Sequence, residues 1–544
     1  MRKSLLSTLA VALLLCGASR SSAEDPKPVI VASAASLDRL LSNVDKLGEM
    51  AESQALTNIV KFGAAGFTKG VDKTKPAGVL VTSDGLGFRT VGFIPVSDFK
   101  AFMSIPAFAA EDAGDGAYEV RLGRGRAFAK QQGAWAYLSD NIDSLTDLPA
   151  DPQKLLNGQE KEYDICVRAL IQNIPEHMRD LAMGALKSGV QQADRLDGET
   201  EEEFKARMET ATAAIDEIVK LIDDTEHLTL GWSVDDKEKK TFVDLNWVAK
   251  SGSETSKKFA AYENATTRFA GFLQDDAAGK FNLSGKISKE DADQSVAAMK
   301  SVRDQMLKEI EKEANFRTDE QRAAVKSAFN NVMDALAATI DSGKFDMAAS
   351  VVLKPDALSV VVGGHVADAE KVEKALKDVV EVAKDEPDFP GMEFNADSHA
   401  GARFHTMSIP VPDRDAVKFL GEKFDVVIGF DANSVYFSCG RDAAANLKKA
   451  MDASKAAGEK EVAPLEFSIS AGPIVNFAAS MQGDNPIAGM LADEVAKFKG
   501  KDHYRVALRP IPNGVRYRME VEQGIINLAG KAIGLFGAAG GGAF

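Results

Sequence analysis

Tyr504-Arg505-Val506-Ala507-Leu508-Arg509-Pro510-Ile511-Pro512-Asn513-Gly514-Val515-Arg516-Tyr517-Arg518-Met519-Glu520-Val521 holds two extended runs, Tyr504 to Leu508 and Val515 to Val521, on either side of Asn513-Gly514. Asn-Gly supplies the two positive-φ positions that a tight hairpin turn needs, and it is the strongest short-range hairpin signal. Five other stretches follow the same plan of strand, polar turn, strand and short amphipathic helix. Gly78 to Val81 faces Thr90 to Ile94 across Asp84-Gly85, with a helix from Ser97. Arg126 to Ala129 faces Trp135 to Leu138 across Gln132-Gly133, with Asn141 opening a helix. Leu228 to Trp232 faces Thr241 to Val248. Met347 to Leu353 faces Leu358 to Val362 across Lys354-Pro355-Asp356, with a helix from about Asp368. Asp425 to Phe430 faces Val435 to Cys439 across Ala432-Asn433, with a helix near Asp442. Each turn puts Gly, Asn, Asp or Pro where a positive or fixed φ is required.

Between these hairpins, Glu162 to Leu170, Phe281 to Ile287 and Leu465 to Ile469 read as single strands feeding helices. Thr200 with Glu203, and Thr318 with Gln321, have capping-box spacing. Behind the first, Phe204, Met208, Ala211, Ile215, Val219 and Ile222 recur at helical intervals; behind the second, Val325, Phe329, Val332, Leu336 and Ile340 do the same. The expected fold is α+β: antiparallel sheets built from repeated strand–turn–strand–helix units and covered on one face by helices, several of them long and amphipathic. The expected division falls near Asp275, giving halves 24–275 and 276–523, then a short helix and a Gly-rich tail over 524–544.

Residues 1–23 read as a cleavable export signal: Arg2 and Lys3, an apolar run from Leu5 to Leu15, and Ser21-Ser22-Ala23 before a mature start at Glu24. The run is shorter than the ~20 residues of a spanning helix. Leu15 ahead of Cys16 is too large for the usual lipid-attachment pattern, so plain cleavage and an extracytoplasmic (periplasmic or secreted) location are expected. Residues 1–23 carry Arg2, Lys3 and Arg20 and no acid, so their removal takes the net charge from −16 to −19. That acidity argues against nucleic acid or an anionic membrane face as a partner. Cys166 and Cys439 both sit in strand-like runs, where free cysteine behaves as a small hydrophobe, and both are expected to be unpaired.

Asp397-Ser398-His399-Ala400-Gly401-Ala402-Arg403-Phe404-His405-Thr406-Met407-Ser408-Ile409-Pro410-Val411, after Glu386-Pro387-Asp388-Phe389-Pro390-Gly391, resembles a family of large uncharacterised secreted proteins of planctomycete-type bacteria. Gly92-Phe93-Ile94-Pro95-Val96-Ser97-Asp98 and Leu228-Thr229-Leu230-Gly231-Trp232 are similar to the same family. The likeness implies no assigned activity and carries over no functional residue.

Catalytic chemistry finds little support. His399, His405 and Asp397 share strand parity if the run is continuous, which makes them the metal candidates; Gly401 midway bends the chain, and surface or turn histidines are the more ordinary reading. No Gly-x-Ser-x-Gly elbow, P-loop or calcium loop occurs. Arg121, Arg124 and Arg126 form the one local basic cluster, read as a solvated hairpin edge rather than an anion site. Asn264 and Asn282 match the glycan acceptor pattern by spacing alone. Neither a cofactor nor a catalytic residue is assigned. The expected function is non-catalytic binding or scaffolding in the cell envelope. Two alternatives are a carrier of a lipid-like apolar ligand, with a continuous cavity lined by Phe93, Phe128, Leu230 and Phe437, and a hydrolase assembled from distant segments.

Overall fold

The sheet strands pair in an order that runs far from their order along the chain. In the computed structural model the described residues are 27–122, 125–196, 198–313, 316, 318–384, 386–482 and 486–539. They form two units, one running to Lys257 and including Ile511–Val515, the other comprising the rest. The segment read as an export signal and the glycines of 540–542 lie outside the described residues. The division falls before Asp275, because Phe269 and Phe272 belong to the core of the second unit.

The first unit has ten strands: β1 (Lys27–Ala34), β2 (Ala77–Ser83), β3 (Phe88–Pro95), β4 (Glu111–Gly114), β5 (Ala117–Leu122), β6 (Gly125–Gln132), β7 (Trp135–Ser139), β8 (Ile165–Leu170), β9 (Thr225–Asp235) and β10 (Lys240–Ala249). They pair antiparallel throughout, in the order β4-β5-β6-β7-β3-β2-β1-β8-β9-β10. Helices α1 (Leu37–Met50) and α2 (Gln54–Ala65) lie between β1 and β2, and α3 (Glu176–Gln191) and α4 (Glu201–Asp224) between β8 and β9. Ser36 caps α1 by accepting from Arg39 N, and Thr200 with Glu203 closes a full capping box on α4.

The second unit repeats that order strand for strand. Its strands are β11 (Gly279–Lys286), β12 (Lys344–Lys354), β13 (Ala357–His365), β14 (Glu393–His399), β15 (Ala402–Pro410), β16 (Lys423–Phe430), β17 (Ser434–Gly440), β18 (Leu465–Ser470), β19 (His503–Ile511) and β20 (Gly514–Glu522). They pair β14-β15-β16-β17-β13-β12-β11-β18-β19-β20. Helices α5 (Lys289–Lys312) and α6 (Asp319–Asp341) fill the slot after the first strand. Next, α7 (Ala369–Ala383) follows the third and α8 (Ala443–Ala457) the seventh. In turn, α9 (Ala471–Gln482) and α10 (Pro486–Ala496) follow the eighth, and α11 (Gln523–Ala539) the tenth.

Helices cover both faces of the sheet, not one. Cross-strand pairs share a face, and Phe404, Gly429, Tyr436, Gly363 and Ala348 are successive partners. That face packs under α8 through Ala443, Leu447, Ala450 and Met451. The neighbouring residues His405 and Arg403 point the other way, to Glu373 of α7. In the first unit Trp135 and Tyr137 enter a core with Phe93, Leu145 and Leu156, while Ala136 between them enters a second core with Phe102, Phe108 and Val120. Where a helix was expected at Asn141, the chain makes only a 3-10 turn, Ile142–Leu145, with Asn141 accepting from Asp143 N.

The two apolar stripes fare differently. Of the α4 set Ile215 is buried and the others are half-buried. In α6 the buried positions are Ala328, Met333, Ala335 and Thr339, so Val332 and Leu336 are exposed. Small residues permit close approach of helices, and α6 packs along α7, where Ser327 and Asn331 reach Asp378.

Candidate functional site

The metal candidates do not meet. Ala400 and Gly401, both at positive φ, close a hairpin between β14 and β15. Parity therefore does not carry through the turn: Asp397 opposes Phe404 and His399 opposes Ala402, on the α8 face, while His405 lies on the α7 face. Asp397 pairs with Lys448 at 2.5 Å and His399 Nε2 lies 2.7 Å from Asp452 Oδ1, both partners belonging to α8. Among the described residues no group of three or more His, Cys, Asp or Glu is placed to hold a metal ion.

His405 is fully buried, between the Phe394 and Phe430 rings. Asn395 N–H donates to His405 Nδ1 at 3.0 Å, so the ring proton sits on Nε2, which donates to Glu373 Oε1 at 3.1 Å. That bond accounts for the register break between Glu393 and Asp397, where Asn395 takes φ +54° and turns its N–H inward. Burial pushes the His405 pKa below 6.5, outweighing the nearby carboxylate. Burial also acts to raise Glu373, but hydrogen bonds from Lys377 and Arg403 prevail and hold it at about 2. The cluster is an anchor tying α7 to the sheet, satisfied by its own members.

Other leads resolve as structure. Cys166 and Cys439 are free and buried, with burial raising both thiols, Cys166 to about 11, away from nucleophilic use. Arg126 pairs with Glu119 at 2.7 Å and lies over the Phe128 ring; Arg124 lies outside the described residues. Asn282 is buried with Nδ2 donating to Ala463 O, which closes it to a glycan. A cavity of about 440 Å³ in the second unit is lined by Asp275, Lys280, Lys460, Glu461, Glu466 and Arg509, whose charges balance one another and select no ligand.

What remains is apolar. In the first unit the cross-strand row Val79, Ala32, Val167, Leu230, Leu245 runs over five strands of one sheet face. These side chains are half-exposed, Leu230 at 52%. The opposite face at the same strands is buried, and beside Val31, Leu80 and Cys166 it holds the polar Ser33, Thr229, Asp244 and Asn246. Asp244 and Asn246 are satisfied from the far side, with Tyr163 Oη donating to Asp244 Oδ2 and accepting from Asn246 Nδ2, each at 3.0 Å. The sheet thus leaves a row of apolar side chains open to water, where polar ones are the ordinary occupants.

At one end this open face deepens into a cavity of about 340 Å³. Its floor is small, with Ala34 and Ala77 paired across β1 and β2, two residues along from Ala32 and Val79. Phe67, Phe102 and Phe108 form an aromatic wall, Phe102 meeting Phe108 edge-on at 5.1 Å. Leu37 and Leu40 of α1 contribute the far side. Gly70 pins the loop that carries Phe67: at φ +74°, a Cβ there would lie 2.2 Å from Asp98 O. The only charge in the lining is Lys75, paired with Asp72 at 3.2 Å.

The single continuous cavity expected around Phe93, Phe128, Leu230 and Phe437 is not formed. Phe93 is fully buried in a packed core with Phe128 against it, Leu230 is on the opposite, open face, and Phe437 belongs to the other unit. Sequence reasoning missed the floor alanines, although Ile30, Ala32 and Ala34 alternate with the buried Val29, Val31 and Ser33. Compared with protein-family models, with curated proteins and with solved structures, the chain finds no match. No helix among the described residues is long and apolar enough to cross a membrane.

Proposed function

We propose that the protein is an extracytoplasmic, non-catalytic binding protein that holds a lipid-like apolar chain in the first unit. The observation carrying this reading is the apolar cavity of about 340 Å³, open onto a sheet face of half-exposed aliphatic residues. That volume lies within the range of small-molecule sites, ~300–1,000 Å³, and such sites are mostly apolar with few polar groups. Lys75 at the lining suits an amphiphile with an anionic end. The export signal supports delivery outside the cytoplasm.

The test is native mass spectrometry of the protein from its own envelope, followed by titration with a fluorescent fatty acid. Ala34→Phe fills the floor from a position with room for it, so the fold persists and probe affinity drops at least about tenfold. A protein that carries no lipid and binds the probe as A34F does would sink the reading and leave scaffolding as the role.

A further inference from the structure

Helix α2 is turned inside out. Thr57 and Lys61, one turn apart, face α1: Thr57 Oγ1 reaches Val44 O at 3.5 Å and Lys61 pairs with Asp45 at 2.6 Å. The two helices touch closely, since a Cβ on Gly48 would sit 2.0 Å from Thr57 Oγ1. Thr57 is thus on the packed side, with Lys61, 44% exposed, at its margin. Val60, Phe62 and, just past the helix, Phe67 are exposed, Phe62 at 87%, more than any other large hydrophobic residue among those described. A water-facing surface helix has the opposite arrangement, and such a patch marks an interaction surface.

The local charge says what covers it. Residues 54–75 contain four lysines, Lys61, Lys69, Lys73 and Lys75, against one acid, Asp72, in a chain of net charge −16. Lys69 and Lys73 are exposed beside the apolar residues. Aromatic side chains with flanking lysines are the composition of a segment that lies in the headgroup layer of an anionic bilayer. We infer that α2 and the loop after it, residues 54–75, dock the protein on an anionic membrane surface by inserting Phe62 and its apolar neighbours while Lys69 and Lys73 meet the headgroups. The overall acidity of the chain confines this contact to one patch and sets its orientation, bringing the membrane to Phe67, which also lines the apolar cavity. The docking does not depend on the cavity's being occupied, so it stands or falls apart from the ligand reading.

Flotation with vesicles of phosphatidylcholine alone, and of phosphatidylcholine with phosphatidylglycerol, tests it. The protein floats with the anionic vesicles and not with the neutral ones. Phe62→Asp lowers the anionic-vesicle affinity at least about tenfold, and K69E/K73E by a similar factor that shrinks in high salt. Val302→Asp, at an exposed apolar position on α5 of the second unit, leaves it unchanged. Absence of flotation, equal binding to both vesicle types, or an unaffected F62D protein overturns the inference. So does a Phe62-dependent dimer formed without vesicles, which would make a second copy the occupant.

Discussion

The two units share a strand order but not what is threaded between the strands. After β1 the first unit inserts α1 and α2, and α2 has a single charged residue, Lys61, with its aromatic side outward. After β11 the second inserts α5 and α6, twice as long and studded with ion pairs such as Arg303 with Asp334 at 2.7 Å and Lys289 with Asp341 at 2.6 Å. The third-strand connection differs too: five helical residues, Phe99–Met103, against the fifteen of α7. Where the second unit closes this sheet face with α7 and the His405 anchor, the first unit leaves alanines and a cavity. Sheet order and site formation are therefore separable, with the strands fixing the frame and the insertions deciding whether a face is shut.

The largest expected effects come from the polar anchors. Asp164 is fully buried, ion-paired with Arg39 at 2.7 Å and accepting from Asn43 Nδ2 and Val234 N, each at 2.8 Å. Asp164→Ala strands these donors and costs the first unit ~3–5 kcal/mol. Glu373→Ala costs the second unit less, ~2–3 kcal/mol, because the half-exposed Arg403 and Lys377 regain water. Chemical denaturation followed by unit-specific fluorescence ranks them; a larger loss for E373A would reverse the comparison.

Next come the glycine seats. A Cβ on Gly231 would lie 2.4 Å from the Tyr163 ring, and one on Gly363 would lie 2.7 Å from Phe269 and 2.9 Å from Phe272. Gly231→Ala and Gly363→Ala each cost ~1–3 kcal/mol by overpacking, the first being worse by contact distance, as melting temperatures would register.

The smallest and most specific effect is on pH. His405 is held below 6.5, so the unfolded chain binds its proton more readily and the second unit's stability falls as pH drops through 6.5. Glu373, held at about 2, adds a further loss as pH falls below 4.5. His405→Gln removes the first stage and keeps the second. In the first unit burial and the nearby Arg168 hold His227 low as well, so the contrast rests on His405→Gln, which removes the first stage from the second unit alone.

Local pairings were legible and distant ones were not. Asn513-Gly514 and Asp84-Gly85 announce their turns because the φ requirement is written in the residues themselves. Nothing local says that β1 lies between β2 and β8, or β11 between β12 and β18, since the paired residues stand from 43 (Ala34 and Ala77) to 190 (Gly279 and Ile469) positions apart. The His399/His405 reading failed on one residue pair, Ala400-Gly401, which reverses the chain and sends the two histidines to opposite faces. The apolar stripe of α6 failed because helix–helix contact selected alanines over Val332 and Leu336. The cavity was hidden for a similar reason: an empty space is made by small residues, and Ala34 and Ala77 look unremarkable beside the aromatic positions that drew attention.

The place of β1 has a consequence for biogenesis. The earliest described strand stands mid-sheet, and one of its two neighbours, β8, ends only at Leu170. A polypeptide emerging from the ribosome therefore cannot complete its opening row until that late neighbour arrives, and non-local closure of this kind is slow. Such a delay keeps the emerging first unit extended. Arrested nascent chains of stepwise length, probed with protease, are expected to gain protection at β1 only once Leu170 has cleared the exit tunnel.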